Sequence, residues 1–431
     1  MEFQTLKKSH LKRNIIIGVV CIAIISAVVL NFTRAKYRTT QSIPLVNGTI
    51  NYELSDLNLI GVYIEDGDDY TKVDQIPDSG YTFNSEKSYC KIGDEEQDMT
   101  ITYDMNTKTL NIAPITTKGT KCYLYFDEQK TLLADAIKRD NQINSGTPNF
   151  SETATTDEGV YKTQDDWGES YYFRGAVNNN WVKFAGYYWR IIRINGDGSI
   201  RLIYNGNSTA TTGTSTQIST STFNSTYNNN MYVGYMYTSG QVHGLGTNST
   251  IKGVLDSWYD SNLASYADKI SKEAGFCGDR GPSTSSSGIN GSGGTGTTQT
   301  YYEGYIRLIT NKSPDLKCEN SSDLYTTSSS SKGNKVLTNP IGLITADEVS
   351  MAGGVYGQNN RSYYLYTEQV YWTMSPSHFN GSNAGVFVVY SYGWLSWNHV
   401  YYTCGIRPVI NLAHDVVIKS GNGTSSAPYE I

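Results

Sequence analysis

Charge is what this chain has least of. Charged residues make up 17% of its 431 positions, where about a quarter is usual for a soluble domain. The formal net charge is −6, with 34 Lys plus Arg against 40 Asp plus Glu. No basic stripe follows the first forty residues, so a nucleic acid is excluded as a partner. Only five histidines occur, and none lies at zinc spacing from a cysteine or another histidine. The chain lacks GxSxG, HExxH, P-loop and dinucleotide-binding fingerprints. Those absences remove the commonest hydrolase, phosphoryl-transfer and hydride-transfer chemistries, and no cofactor is expected. Internal repeats are absent as well, which weighs against a repetitive stalk.

One long apolar run is present, and it comes at the start. Residues 15–30 carry no charge, with Lys7, Lys8, Lys12 and Arg13 before them and Arg34, Lys36 and Arg38 after. At about 1.5 Å rise per residue such a run nearly crosses a hydrocarbon core of about 30 Å. The expectation is a single N-terminal membrane helix within residues 1–36, retained as a signal anchor, with the bulk of the chain outside the cell.

Tyrosine is abundant: 35 residues, more than all Lys and Arg combined. Together with Ser, Thr, Asn and Gly it builds surfaces that gain contact area with little charge, as recognition surfaces do. Cys21 lies in the apolar run, leaving five cysteines. Cys90 and Cys122 fall in one segment and Cys277 and Cys318 in another. On the oxidising side of a membrane, the economical pairing is one local bridge in each. Cys404 is left over, as a buried small residue, an interchain partner or a reactive thiol.

Residues 37–128 read as a small β-sandwich acting as a spacer. Met99 to Tyr103 alternates apolar and polar, and Asp104 to Thr107 is turn chemistry. In 121–126, Cys122 and Leu124 share one face while Tyr123 and Tyr125 share the other. Residues 129–159 read as a short helix on a Leu132, Leu133, Ala136, Ile137 stripe, then a polar linker. A second unit spans 160–415, with a tail over 416–431. Within it, 181–194 is a strand broken at Gly186, and Asn195 to Gly198 turns it into a hairpin with 199–204. The alternative for that turn, a calcium loop, lacks the spaced carboxylates and distal Glu such a loop needs. Two helices are expected over 251–274, a Ser/Gly tether over 283–300, a strand over 301–310, and a helix capped by Thr345 with Glu348 three residues on.

The end of the chain carries a recognisable series. Trp372, Ser375 and Pro376 are followed by Gly385 and Val386, then Gly393, then Gly405-Ile406-Arg407-Pro408-Val409-Ile410-Asn411-Leu412. This resembles a family of bacterial extracellular domains whose ending is similar to that of the C-type-lectin-like fold shared with formylglycine-generating enzymes. The resemblance covers most of 160–415. It implies a lectin-like α+β domain there, so that with the anchor helix and the β-sandwich read above the expected fold class is α+β. Arg407 and Trp372 are expected to close that domain structurally, the Arg fork satisfying backbone carbonyls. The paired cysteines of the formylglycine-generating enzymes are not matched, since Cys404 stands alone.

Aromatics crowd the last segment: Tyr390, Tyr392, Trp394, Trp397, His399 and Tyr401. Trp394, Trp397 and Tyr401 are the expected ligand-binding residues, for an extracellular glycan or protein. Two other readings stand beside this recognition role. One is a structural cell-envelope protein. The other is a surface enzyme using Cys404 with His399 or His378.

Overall fold

The computed structural model describes residues 60–113, 119–284 and 293–431. The expected membrane helix lies outside them. Among the described residues, no helix is long and apolar enough to cross a membrane. The chain divides into two compact units, Met1–Gln129 and Lys130–Ile431.

In the first unit a five-stranded sheet runs Asp69–Val73, Ile60–Asp66, Thr120–Glu128, Tyr81–Ile92, Glu95–Gln97 across its width. One face is apolar: Val62, Cys90, Cys122, Leu124 and Phe126 are buried there with Ile101 and Leu110 of the hairpin Thr100–Asp104/Thr109–Ala113. Cys90 and Cys122 stand directly opposite each other in the antiparallel register and are bridged. The alternation seen at 121–126 is what separates this face from the other one.

The second unit is built on two further sheets. The larger has Val409–Leu412, Ile200–Gly206, Tyr187–Ile194, Gly168–Gly175, Asp157–Asp165 and Ile143–Asn144 in order, and Trp181–Phe184 links Tyr187–Ile194 to Tyr429–Glu430. The other runs Ser219–Ser221, Cys404–Ile406, Tyr371–Phe379, Ala384–Val389, Leu395–His399, with Thr300–Tyr301 also paired to Tyr371–Phe379. A single apolar core joins both sheets and the helices Leu133–Asp140, Thr250–Asn262 and Ala346–Met351. The segment 130–144 and the tail are therefore parts of this unit. Leu133, Ala136 and Ile137 bury into its core, and Tyr429 is fully buried beside Val182.

The lectin-like α+β expectation is corrected here. Strand accounts for 39% and helix for 13% of the chain described, so the fold is mostly β. Two local readings change as well, one towards helix and one away from it. The strand expected over 301–310 is instead two residues of strand followed by helical turns over 303–310. The buried residues Tyr302, Ile306 and Leu308 are spaced ambiguously, and Arg307 is drawn between Asp279 and Asp347. The two helices expected over 251–274 reduce to Thr250–Asn262 and one 3-10 turn, Ala264–Tyr266. By Ser271 the chain is extended, donating its backbone N–H to Asn411 O.

Turn chemistry is realised where it was read. Tyr187–Ile194 and Ile200–Gly206 form an antiparallel pair across Asn195 to Ser199, with Gly198 at φ 83°. Cys277 and Cys318 are bridged, 41 residues apart.

Candidate functional site

Two constructions in the second unit compete for this role. The first is a small polar pocket of about 20 Å³ lined by Arg193, Arg201, Arg307, Asp166, Asp347 and Glu348 among others. That volume suits roughly one water. Its arginines are already paired. Arg193 meets Asp165 (2.5 Å) and Glu348 (3.0 Å), Arg201 meets the same Glu348 (2.5 Å), and Arg307 meets Asp279 (2.7 Å) and Asp347 (2.7 Å). Glu348 also completes a capping box with Thr345. Two guanidinium groups outweigh the burial of Glu348 and hold its carboxyl below the usual range. Asp279 goes the other way. Burial, with Asp347 nearby, outweighs the shared Arg307 and raises it. A closed set of ion pairs of this kind fixes geometry and register.

The second construction is an aromatic strip on the smaller sheet. Tyr301, His378, Gly385 and His399 stand in one register row across four strands. Successive directly opposed residues share a face, so their side chains line up. A Cβ at Gly385 would lie 3.1 Å from His378 Cε1. The missing side chain is what lets the imidazole lie across the sheet there. Trp397 packs edge-on against His378 at 4.4 Å between centroids, and Tyr301 stacks on its other side at 5.8 Å, next to Tyr305 at 4.7 Å. The strip continues from Trp397 to His399 (5.4 Å), from His399 to the parallel ring of Tyr401 (5.5 Å), and from Tyr401 to Tyr227 (4.6 Å) and Tyr402 (4.8 Å). His378 is the buried floor. Tyr301, Tyr305, Trp397, His399 and Tyr401 are half-buried, and Tyr227 and Tyr402 are exposed at 42% and 47%.

Burial first, then the neighbouring His399, lowers the His378 pKa to about 4, and burial lowers that of His399. Both rings are therefore uncharged at neutral pH. The strip presents neutral faces and a few hydroxyls, suited to stacking and hydrogen bonding.

The expected site residues are thus divided. Trp397 and Tyr401 belong to the strip. Trp394 does not. It sits in the turn between Ala384–Val389 and Leu395–His399, where Gly393 takes φ 79° and comes so close to Asn360 O that no Cβ would fit. There it is half-buried with Tyr390 (5.7 Å) and Tyr392, over whose ring lies Arg361. Sequence reading missed Tyr227, Tyr301 and Tyr305, which are distant along the chain and reach the strip only through strand pairing and the 303–310 turns.

Arg407 lies at the corner where the chain leaves one sheet at Ile406 and enters the other at Val409. It is fully buried and donates to Tyr204 O (3.0 Å), Leu365 O (3.3 Å) and Asn205 Oδ1 (3.3 Å), with its guanidinium over the Tyr371 ring. Trp372 is buried and donates Nε1–H to Ser221 O at 2.9 Å. Cys404 is buried at 4% exposure, its sulfur accepts from Asn398 Nδ2, and burial raises its pKa to about 11. Among the described residues, no three His, Cys, Asp or Glu side chains converge as a metal would require. No family model, no curated protein and no solved structure matches this chain.

Proposed function

We propose that the chain is an extracellular recognition protein whose second unit takes an extended glycan along the strip from Tyr305 to Tyr227. The observation that carries this reading is the half-exposed row of neutral aromatic rings laid over Gly385. Sugar rings stack on such faces without the loss of side-chain entropy that flexible contacts incur. Two disulfides suit an oxidising compartment. A protonated, buried Cys404 favours recognition over thiol chemistry, because the thiolate is the nucleophile.

The test is a glycan-array screen of the purified chain, followed by titration calorimetry on the best ligand. Trp397→Ala and Tyr401→Ala should each weaken binding by about 1–2 kcal/mol, with Trp394→Ala close to the parent. Equal losses at Trp394 would move the site to the 390–394 turn. No loss at Trp397 and Tyr401 in folded variants would sink the reading.

A further inference from the structure

The outer face of the first unit's sheet is the second aromatic surface of the molecule. Tyr63 and Tyr125 stand side by side in the parallel register, as do Tyr89 and Tyr123 in the antiparallel one. Tyr63 stacks on Tyr125 at 4.9 Å and Tyr89 on Tyr123 at 5.0 Å, with Tyr70 edge-on to Tyr125 at 5.0 Å. All five rings are half-buried, whereas the opposite face of the same strands is the core. Gly61 makes room for them: a Cβ there would lie 3.1 Å from Tyr63 and 3.4 Å from Tyr123.

Lysines surround this row. Lys87 Nζ lies 4.3 Å from the Tyr70 ring centroid and Lys91 Nζ 5.2 Å from that of Tyr123. Lys72 is opposite Tyr63 in the register, and Lys121 is opposite Lys91. Like charges directly opposed across a strand pair are destabilising. Among the described residues none of the four ammonium groups forms an ion pair. The carboxylates of the same face are Glu65, Asp127 and Glu96. Glu65 accepts the Glu128 N–H, Asp127 is held by Tyr70 and Asn84, and Glu96 stands beside Lys91 at the sheet edge.

We propose that this face binds an acidic polysaccharide of the polyuronate type, making the first unit a binding module. Pyranose rings would stack on the tyrosine row while ring carboxylates meet Lys87, Lys91, Lys121 and Lys72. Both halves of the surface then have a use, since each sugar unit carries a flat ring and a charge. A polyol phosphate offers the charge without the ring. Glu96 offsets the repulsion of Lys91 and Lys121 from the Lys91 side alone, and an anion between the two lysines would relieve it further.

The test is affinity electrophoresis of the purified chain in gels containing polygalacturonate, dextran or a polyol phosphate. Retardation is expected with polygalacturonate alone, and it should fade as salt is raised from about 50 to 500 mM, because the screening length shrinks from about 14 Å to about 4 Å. Tyr63→Ala with Tyr89→Ala should weaken retention about tenfold, as loss of stacking on two rings predicts. Lys91→Gln with Lys121→Gln sits at solvent-facing positions and should keep the fold while weakening retention and flattening its salt dependence. Trp397→Ala in the second unit should leave retention unchanged, so this proposal and the strip reading fail separately. Equal retardation by the polyol phosphate, indifference to both double variants, or loss with Trp397→Ala instead would overturn it.

Discussion

At the scale of single residues, buried arginine is the recurring device. Arg174 donates to the carbonyls of Asn149, Glu152, Ser350 and Met351, Arg190 to Asn180 and Val177 O, and Arg280 to Asp323, Met236 O and Gly244 O. Each ties loops to a sheet through a planar fork of donors that a lysine could not match. Arg407 does the same at the crossing between sheets. Arg407→Ala should cost about 1–3 kcal/mol, because Tyr204 O and Leu365 O lose a buried donor. Thermal melting checks this, and an unchanged melting temperature with lost ligand binding would reassign Arg407 to a site. His378 sets a pH dependence. Above pH 6.5 it is neutral folded and unfolded, so its contribution is fully present. As pH falls from 6.5 towards about 4, the unfolded chain takes up a proton and the folded one does not. That loss approaches roughly 3 kcal/mol by linkage. Asp279 opposes it, since a raised carboxyl gains its proton first in the folded state. The clean measurement is therefore His378→Phe against the parent at the same pH. The variant's urea midpoint should gain on the parent's between pH 7 and 4.5, and no relative gain would refute the assignment.

At the scale of elements, the row Tyr301, His378, Gly385, His399 shows how a sheet assembles a candidate site from four separate strands. Its weak point is the glycine. Gly385→Val would push His378 and lift Trp397 from it. It should cost about 1–3 kcal/mol of stability as overpacking does and lose Trp397 stacking as well, seen as a changed tryptophan emission. An emission spectrum identical to the parent's would show that the row tolerates a side chain there. The helix Ala346–Met351 is the other informative element. Thr345 was legible as its cap because the sequence carries Glu three residues on, and both reciprocal hydrogen bonds are formed. Thr345→Ala should cost about 1 kcal/mol, measured by urea denaturation. What the motif did not disclose is that Glu348 also binds Arg193 and Arg201 of the larger sheet.

At the scale of the whole molecule, each disulfide belongs to one unit. Cys90–Cys122 closes 32 residues and Cys277–Cys318 closes 41, so each should contribute roughly 3.5–4 kcal/mol in the chain-entropy account. Calorimetry of the Cys90→Ser/Cys122→Ser variant should show one transition lowered and the other in place. The reverse should hold for Cys277→Ser/Cys318→Ser. A single transition shifted by both variants would mean that the units unfold together. The two aromatic surfaces likewise belong to different units, one neutral and one ringed with lysine. Their separate responses to salt follow from that charge difference.

Local patterning alone determined the pairing of cysteines by segment, the hairpin at Asn195 to Gly198, the capped helix at Thr345, and the Tyr123/Tyr125 face set against Cys122/Leu124. Apart from the cysteines, which pair within a segment over 32 and 41 residues, these depend on residues within a few positions of one another, or on the alternation of a single strand, where side-chain direction has period two. The tertiary structure decided what depends on register between distant strands. It separated Trp394 from Trp397, brought Tyr301 and Tyr227 to Tyr401's strip, and made 303–310 helical, with Arg307 paired to Asp279 and Asp347. It also set Tyr63, Tyr70 and Tyr89 beside Tyr123 and Tyr125. Strand pairing is chosen by the burial of whole faces, a sum over many residues far apart in the chain, and no local pattern carries that sum.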